Sequence, residues 1–376
     1  MLKTGGPSRA SAENQADDDE RARRPHIRVN LSDAGSHRQP TRENTRPTDT
    51  PSTGSGDQGW FTRAQILEYQ QAADNEVLSK LVGGTHPGAS REETLFRYHV
   101  SKSVYLGHYE LPPLPTTTAQ ILRLGQRVDA TTGDYVKALQ SDASMVSGII
   151  QVSNSALFSG NQEYRTLEQA ITRIGLAEVE KTALLHTFNS KVFRVPGHGR
   201  TVARLVEHGM VSSLAAQAFG RLFELPGSTA FVTGLFHDVG KFITLQMLAQ
   251  VQRQRRWIAP KAVVESAFEA FHVQLGTELC RSWDSPEHVL EAVASHHDPE
   301  RASLHGLSRA TYLGNRLAHA IEQGATPETT QDSAFTDVLD SWFSNDPVAN
   351  QVQLTPDRVH AILEQTHAEL AAFRGR

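Results

Sequence analysis

The feature that most constrains the fold is the spacing of apolar residues, which follows a helical period along almost the whole chain after Trp60. In residues 143–153 and 167–174 the apolar positions recur every three or four residues, as on an α-helix with one buried face. Gly175 follows the second segment, where a helix commonly ends. Runs that alternate apolar and polar residues between turns, as β-strands do, are absent from the sequence. The pattern therefore predicts an all-α protein.

Three further segments support this prediction. Residues 62–82 begin at a potential N-cap, Thr62, and residues 116–128 place apolar side chains, Val128 included, on one broad face. The last helix is predicted to start at Thr355-Pro356 and to run to about Phe373.

Residues 1–59 differ sharply in composition from the rest of the chain. They contain no Phe, Tyr or Trp, and their basic and acidic residues balance. Such a segment cannot bury enough apolar surface to offset the entropy of ordering it, so we expect a disordered polar tail. Its basic stretch 21–29, RARRPHIRV, is interpreted as a solvated linker, with contact to a partner or a nucleic acid as the less favoured alternative.

Charge and cysteine content exclude several classes of protein. Lys and Arg total 37 and Asp and Glu total 42, and this net charge of −5 indicates no general attraction to nucleic acid or anionic membranes. Cys280 is the single cysteine, which rules out an intrachain disulfide framework and a zinc site built from several thiolates. The sequence has no apolar run of the roughly 18 residues that a membrane span requires, and no secretory signal. We therefore expect a cytoplasmic protein.

Histidine is the residue type that indicates chemistry. Ten of the 17 His residues fall between positions 186 and 319. One His on an apolar helix face is usually a satisfied core residue. Here four helices each direct an imidazole toward their apolar side, and one adds a carboxylate: His208, His237-Asp238, His272 and His296. Because buried His and Asp are costly without partners, we expect these side chains to converge on one another or on a divalent ion.

Imidazole and carboxylate ligands suit iron, manganese, nickel or zinc. A bound ion of this kind acidifies water and supports phosphoester hydrolysis. Lys241 lies one turn beyond Asp238, where it is either a phosphate contact or merely a helix cation.

The order of these motifs resembles the HDOD domain, the HD-related output domain of bacterial signalling proteins. The resemblance covers roughly residues 104–320 and is carried by five segments: Leu111-Pro112-Pro113-Leu114-Pro115, SDASMVSGIIQVSNSALF (141–158), TLEQAITRIGLAEVEKTAL (166–184), GLFHDVGK (234–241) and the later His272 and His296-His297.

The resemblance implies a two-lobed helical domain with an HD-type pocket in its second lobe. We accordingly expect a tail at 1–59, flanking helices at 60–103, an HDOD domain at 104–325 that divides near residue 200, and C-terminal helices at 326–376. By motif position, six residues match ligand positions of the related HD-GYP enzymes: His208, His237, Asp238, His272, His296 and His297. Many HDOD proteins have lost their catalytic ligands and are thought to act as interaction modules.

Two departures from the enzyme pattern matter. A later helix of an HD enzyme carries a further Asp, but here Asn315 stands near that place, with His319 one turn later. Asn is a poorer ligand than Asp for a hard dication. The Gly-Tyr-Pro signature of cyclic-di-GMP phosphodiesterases is also missing after His297, which argues against that substrate. Glu265 and Asp284 are alternative sources of the missing carboxylate.

Other conspicuous residues are interpreted as structural. Asn154-Ser155-Ala156 is expected to cap a helix or form a turn rather than bind a ligand. Cys280 is interpreted as a small buried hydrophobe, and the aromatic residues Phe188, Trp283 and Trp342 as core.

Three functions follow from these features. The favoured one is a regulatory module that contacts signalling proteins and whose pocket holds a metal or a small ligand. The second is a metal-dependent phosphohydrolase acting on a nucleotide or cyclic nucleotide, with Asp238 and Lys241 as its catalytic residues. Nucleic-acid binding through the basic stretch is the third and weakest. The flanking helices are expected to extend the core, with a dimer or partner surface as the alternative.

Overall fold

The computed structural model describes residues 60–69, 71, 73, 77, 89–155, 158, 160, 162–189, 191–327 and 343–374. The predicted tail with its basic stretch, and the predictions for Ala156 and Trp342, lie outside the described residues, as do residues 328–342 of the C-terminal flank.

The regular elements of the described residues are all helical, without a β-strand among them, and this confirms the all-α prediction. None of these helices is both long enough and apolar enough to span a bilayer. The helices are α1 Arg63–Tyr69, α2 Arg91–Tyr105, α3 Thr116–Gly125, α4 Thr132–Leu139, α5 Ala143–Ser153, α6 Leu167–Ile174, α7 Leu176–Asn189, a 3-10 turn Lys191–Phe193, α8 Gly199–Leu222, α9 Gly227–Phe236, α10 Gly240–Arg255, α11 Lys261–Ser282, α12 Glu287–Ser295, α13 Pro299–Ala302, α14 Gly306–Glu322, α15 Pro347–Gln351 and α16 Pro356–Arg374.

Short polar side chains set several helix ends. The Thr62 hydroxyl accepts a hydrogen bond from the backbone N–H of Gln65 at 3.3 Å, so the predicted cap is present at the start of α1. Gly175 ends α6 with a φ of 82°, a conformation that a residue with a side chain adopts only with strain.

The prediction for residues 116–128 is wrong at its end. Helix α3 stops at Gly125, and Val128 is fully exposed rather than part of the apolar face. A Cβ atom at Gly125 would lie 2.4 Å from the Glu180 carboxylate oxygen, so the helix ends against a carboxylate that packs over its last turn.

Two hydrophobic cores meet at helix α7. The first core is built from α3–α6, and Val179 and Ala183 of α7 complete it. The second is built mainly from α8–α12, and Leu184, Leu185 and Phe188 of α7 belong to it. One helix is therefore buried on both sides, and a displacement of α7 must disturb both cores. The domain boundaries given above stay predictions.

Phe188 lies at the centre of an aromatic group in the second core, as expected for a core residue. Its ring centroid is 5.9 Å from the rings of both Phe236 and Phe242, which flank the segment His237–Lys241. Burial of a side chain of this size contributes about 1.5–3 kcal/mol. Trp283 packs at the edge of this core, where its indole N–H donates to the Pro112 carbonyl at 2.8 Å.

The described parts of both flanks pack on the central helices. On the N-terminal side, Trp60 packs edge-on against Phe271 of α11, at 5.1 Å between ring centroids. On the C-terminal side, α15 and α16 form a third hydrophobic cluster with α8 and α14. Asp346 fixes the start of α15 by accepting from the Val348 and Ala349 amides, and it also accepts from the Tyr312 hydroxyl of α14.

The structural interpretation of Asn154 is confirmed. Its amide group donates to the carbonyls of Ile150 and Tyr164, and its oxygen accepts from the Tyr164 amide at 2.7 Å. These bonds tie the end of α5 to the segment that leads into α6.

Cys280 is buried as expected, and burial raises the pKa of its thiol to about 12. The thiolate is the reactive form, so we expect Ellman's reagent to leave the native protein unlabelled at pH 8. Unfolding in guanidinium should then release one reactive thiol per chain, because the sequence holds one cysteine. Labelling of the native protein at the rate of a free thiol would contradict this burial.

Candidate metal centre

Glycines let the helices of the candidate centre approach closely. A Cβ atom on Gly234 of α9 would lie 2.7 Å from the Ser212 carbonyl oxygen of α8. A Cβ atom on Gly314 of α14 would lie 2.6 Å from the Ala216 nitrogen, also of α8. Because α8 is in backbone contact with both partners, His208, His237 and Asn315 come together at the crossing.

A second close crossing brings in the other half of the centre. Gly240, at the start of α10, lies against the backbone of α11, where a Cβ would approach the His272 carbonyl oxygen to 1.9 Å. This contact sets His272 beside Asp238. His296 and His297 follow directly after α12 and complete the group.

Asp238 divides the imidazoles into two pairs. Its Oδ2 atom is 3.5 Å from Nε2 of His208 and 3.3 Å from Nε2 of His237. Its Oδ1 atom is 3.4 Å from Nε2 of His272 and 3.6 Å from Nε2 of His296. The exposed His297 extends the second pair, with its Nε2 atom 3.0 Å from that of His272.

The other ring nitrogens fix the protonation of these imidazoles. Nδ1 of His237 donates to the Gly234 carbonyl at 2.7 Å, and Nδ1 of His296 to the Val293 carbonyl at 2.6 Å. His272 donates in the same way to the Phe268 carbonyl. A carbonyl oxygen only accepts, so in each neutral ring Nδ1 carries the proton and Nε2 presents a lone pair.

Nδ1 of His208 donates to the Glu322 carboxylate at 2.7 Å, so Nε2 of this ring also presents a lone pair, and lone pairs face one another inside the pocket. The Nε2 atoms of His208 and His237 are 3.3 Å apart, and those of His272 and His296 are 3.2 Å apart. Protonation is not an easy remedy, because burial lowers the pKa of His237 to about 4 and that of His272 to about 3. A cation among these nitrogens would satisfy them together.

Asp238 is the anion of the centre. Burial alone would raise the pKa of this carboxyl, but the Lys241 ammonium and His237 hold it well below its usual range. Lys241 donates to Oδ2, whereas Oδ1 is buried and accepts no hydrogen bond. A buried carboxylate oxygen without a donor is costly, and a metal ion between it and the facing imidazoles would remove that cost.

The structure brings together all seven predicted site residues and Lys241. Asn315 lies inside the pocket, with its Oδ1 atom 3.1 Å from Nε2 of His208. The two alternative carboxylates lie elsewhere: Glu265 pairs with Lys261 on the exposed surface, and Asp284 is exposed in the turn after α11. Among the described residues, two groups of these side chains have the spacing to hold a metal ion: Asp238 with His272, His296 and His297, and His208 with His237 and Asp238. The donor set fits such an ion.

Glu322 is the residue that sequence reasoning missed. It lies at the end of α14, and its Oε1 atom is 2.7 Å from Nδ1 of His208. Burial of Glu322 opposes ionisation, but hydrogen bonds from His208 and His319 lower the pKa of this carboxyl to about 2. Its spacing of one and two turns from His319 and Asn315 was the signal available in the sequence.

The chain is similar in sequence to known proteins. An uncharacterised protein from Treponema pallidum (strain Nichols) is 24% identical over 199 residues, and ribonuclease Y from Deinococcus radiodurans is 26% identical over 133 residues. These alignments cover 50% and 35% of this chain, but 38% and 19% of the relatives, so the chain matches less than half the length of either.

A solved structure shares the fold. It is that of a proposed metal-dependent phosphohydrolase from Shewanella amazonensis SB2B, which superposes with a TM-score of 0.53 at 20% identity. The match covers 75% of this chain and 99% of that one. The model of the HDOD domain matches residues 111–299, about half of the chain. This segment includes the His237-Asp238 motif and the pocket histidines His208, His272, His296 and His297, and it ends before His319. The chain belongs to the HDOD family.

Proposed function

We propose that this protein is a regulatory module of the HDOD type whose His/Asp pocket holds a divalent metal and which acts by contact with signalling proteins. The observation that carries the proposal is the set of imidazole Nε2 lone pairs around Asp238, whose Oδ1 atom lacks a donor. Such an arrangement is costly when left unpaired, and it matches the ligands of iron, manganese, nickel or zinc.

Each oxygen of Asp238 would serve one pair of imidazoles. His208 and His237 lie on the Oδ2 side, and His272 and His296 on the Oδ1 side. Backbone carbonyls hold His237, His272 and His296 in the tautomer that a ligand requires. A bound divalent ion supplies positive charge and Lewis acidity at this point.

Neutral Asn315 supports a regulatory role over a catalytic one, because the pocket then holds a single carboxylate among the predicted ligands. The packing offers a way to transmit the state of the pocket. Phe236 and Phe242 flank the His237–Lys241 segment, and both touch Phe188 of α7, a helix that also contributes to the first core. A metal that orders this segment would thereby restrain α7.

Hydrogen exchange tests this role. Binding of Mn²⁺ or Zn²⁺ is expected to slow amide exchange in Leu184–Phe188 of α7. The matched variants are His296→Ala, which should lose the effect, and His360→Ala, which removes an imidazole bonded to Glu364 on the surface of α16 and should keep it. Metal binding without any change in α7 would contradict the regulatory proposal.

The second candidate is a metal-dependent phosphohydrolase. Lys241 favours it, because its ammonium group lies beside Asp238 and is partly exposed, where it can meet an anionic substrate. The test is a panel of phosphoesters offered to metal-loaded protein: nucleotides, cyclic dinucleotides and a short RNA, the last because relatives carry the name ribonuclease Y. We expect no turnover. Hydrolysis that Asp238→Asn abolishes and Asp284→Asn leaves intact would establish the enzyme instead.

The proposed partners rest on the family alone. Signalling proteins remain the proposed partners, with a nucleotide as an alternative ligand of the pocket and a homodimer as the alternative assembly. A cytoplasmic location stays a prediction.

A further inference from the structure

Helix α14 holds His208 from both sides of its ring. Asn315, His319 and Glu322 are spaced by four and three residues, so they share one face of the helix. Asn315 meets Nε2 of His208 inside the pocket, at 3.1 Å, and Glu322 meets Nδ1 on the outer side, at 2.7 Å. The His319 ring lies 4.6 Å from the His208 ring, and its Nδ1 atom is 3.3 Å from the Glu322 carboxylate.

His208 thereby differs from the other imidazoles of the pocket. His237, His272 and His296 direct Nδ1 to neutral main-chain carbonyls, but His208 directs Nδ1 to a charged carboxylate. A carboxylate accepts a stronger hydrogen bond than a carbonyl does, and it raises the electron density on the opposite ring nitrogen. The Nε2 atom of His208 is therefore a more basic metal ligand than the Nε2 atom of His237.

The same carboxylate bears on the charge of the pocket. Asp238 is the single acid among the pocket ligands, and the Lys241 ammonium already pairs with it. Asn315 adds a ligand oxygen but no charge. Glu322 is half-exposed, hydrogen bonds from His208 and His319 stabilise its charge, and one imidazole ring separates it from the pocket.

We propose that Glu322 is a positioning residue that supplies, through His208, the negative charge that Asn315 does not bring to the metal site. This inference rests on the proposed metal site. Glu322 holds the His208 ring with Nε2 toward Asp238 and strengthens that atom as a ligand, without contacting the ion.

Substitution by glutamine separates this role from a merely structural one. A glutamine side chain is nearly isosteric with glutamate and its amide oxygen still accepts from Nδ1 of His208, so Glu322→Gln removes the charge and keeps the hydrogen bond. Glu322→Ala removes both. If Glu322 only fixes the ring, metal affinity should survive Glu322→Gln and fall in Glu322→Ala. If Glu322 supplies charge, metal affinity should fall in both variants.

The experiment is a titration of the 376-residue chain with Co²⁺, followed by calorimetry and by the visible d–d absorption of the bound ion. We expect Glu322→Gln to bind Co²⁺ at least about 10-fold more weakly, the lower end for loss of an outer carboxylate partner, with a changed visible spectrum. The matched control is Glu364→Gln, which neutralises an acid bonded to His360 at 3.1 Å on the exposed face of α16 and should bind as wild type does.

The Asn315→Asp variant tests the role of Glu322 separately from the presence of the metal site. In Asn315→Asp protein the pocket has its own added carboxylate, so Glu322→Gln should cost less than about threefold in affinity there. Binding by Glu322→Gln within about twofold of wild type, or an undiminished loss in the Asn315→Asp background, would overturn the inference while leaving the metal site intact. Absence of Co²⁺ binding by wild-type protein would overturn the proposed metal site and this inference together.

Discussion

Replacing Asp238 with Asn is expected to weaken divalent-metal binding by more than about 100-fold, since the loss of an outer partner alone typically costs about 10–100-fold. Asn keeps the size of the side chain but removes the one anion that faces all four buried imidazoles. It would also leave the Lys241 ammonium without its carboxylate partner, so the pocket would repel a cation.

Thermal unfolding reports the same loss as a free energy. At a metal concentration about 100 times the wild-type dissociation constant, binding stabilises the folded protein by about 2.7 kcal/mol. With affinity reduced about 100-fold, the same metal concentration stabilises the variant by only about 0.4 kcal/mol. Differential scanning calorimetry with and without Mn²⁺ should therefore show a clear upward shift for wild type and almost none for Asp238→Asn.

The control is Asp284→Asn, which removes an exposed carboxylate from the turn after α11. Because Asp284 belongs to no group of described side chains with the spacing to hold a metal, this variant should keep the wild-type shift. Equal metal-dependent shifts in Asp238→Asn and wild type would show that the His/Asp pocket is not where the metal binds.

The helical period made both the fold class and the inward histidines predictable. His208 shares a helical face with Leu205 and Phe219, and an imidazole on such a face must be buried once the face packs. The same reasoning applies to His272, which lies on the line of Phe268 and Leu275. Periodicity therefore placed the imidazoles in the interior, and the cost of burying them unpaired predicted that they converge. The resemblance to HDOD proteins was needed to match them to ligand positions.

Contacts across helices were beyond reach of the sequence. Glu322 ends an amphipathic helix, where an acid is ordinarily solvated, and its contact with His208 spans 114 residues of sequence. The contact depends on how α14 crosses α8, which is set by Gly314 against Ala216. The prediction for Val128 failed for a related reason. The helical period of apolar residues continues through Val128, but α3 ends at Gly125, where the Glu180 carboxylate packs against the helix.

The second large effect is expected for Gly240→Ala, which should lower the stability of the protein by about 3 kcal/mol, the upper part of the usual range for overpacking. The added methyl would lie 1.9 Å from the His272 carbonyl oxygen and 2.4 Å from the Gly276 nitrogen. Both neighbours are main-chain atoms of α11 and cannot swing aside, so α10 and α11 must separate. For a folded part of about 300 residues, with an unfolding entropy of about 2.1 cal/mol/K per residue, that loss corresponds to a melting temperature lower by roughly 5 °C.

Gly148→Ala provides the matched comparison, because Gly148 is also helical but has no atom within 4 Å of a Cβ built on it. Alanine there should be neutral or stabilise by up to about 1 kcal/mol through its helix propensity. Separation of α10 from α11 also moves His272 away from Asp238, so Gly240→Ala should weaken metal binding without altering a ligand. Wild-type stability and metal affinity in Gly240→Ala would show that this crossing does not determine the geometry of the centre.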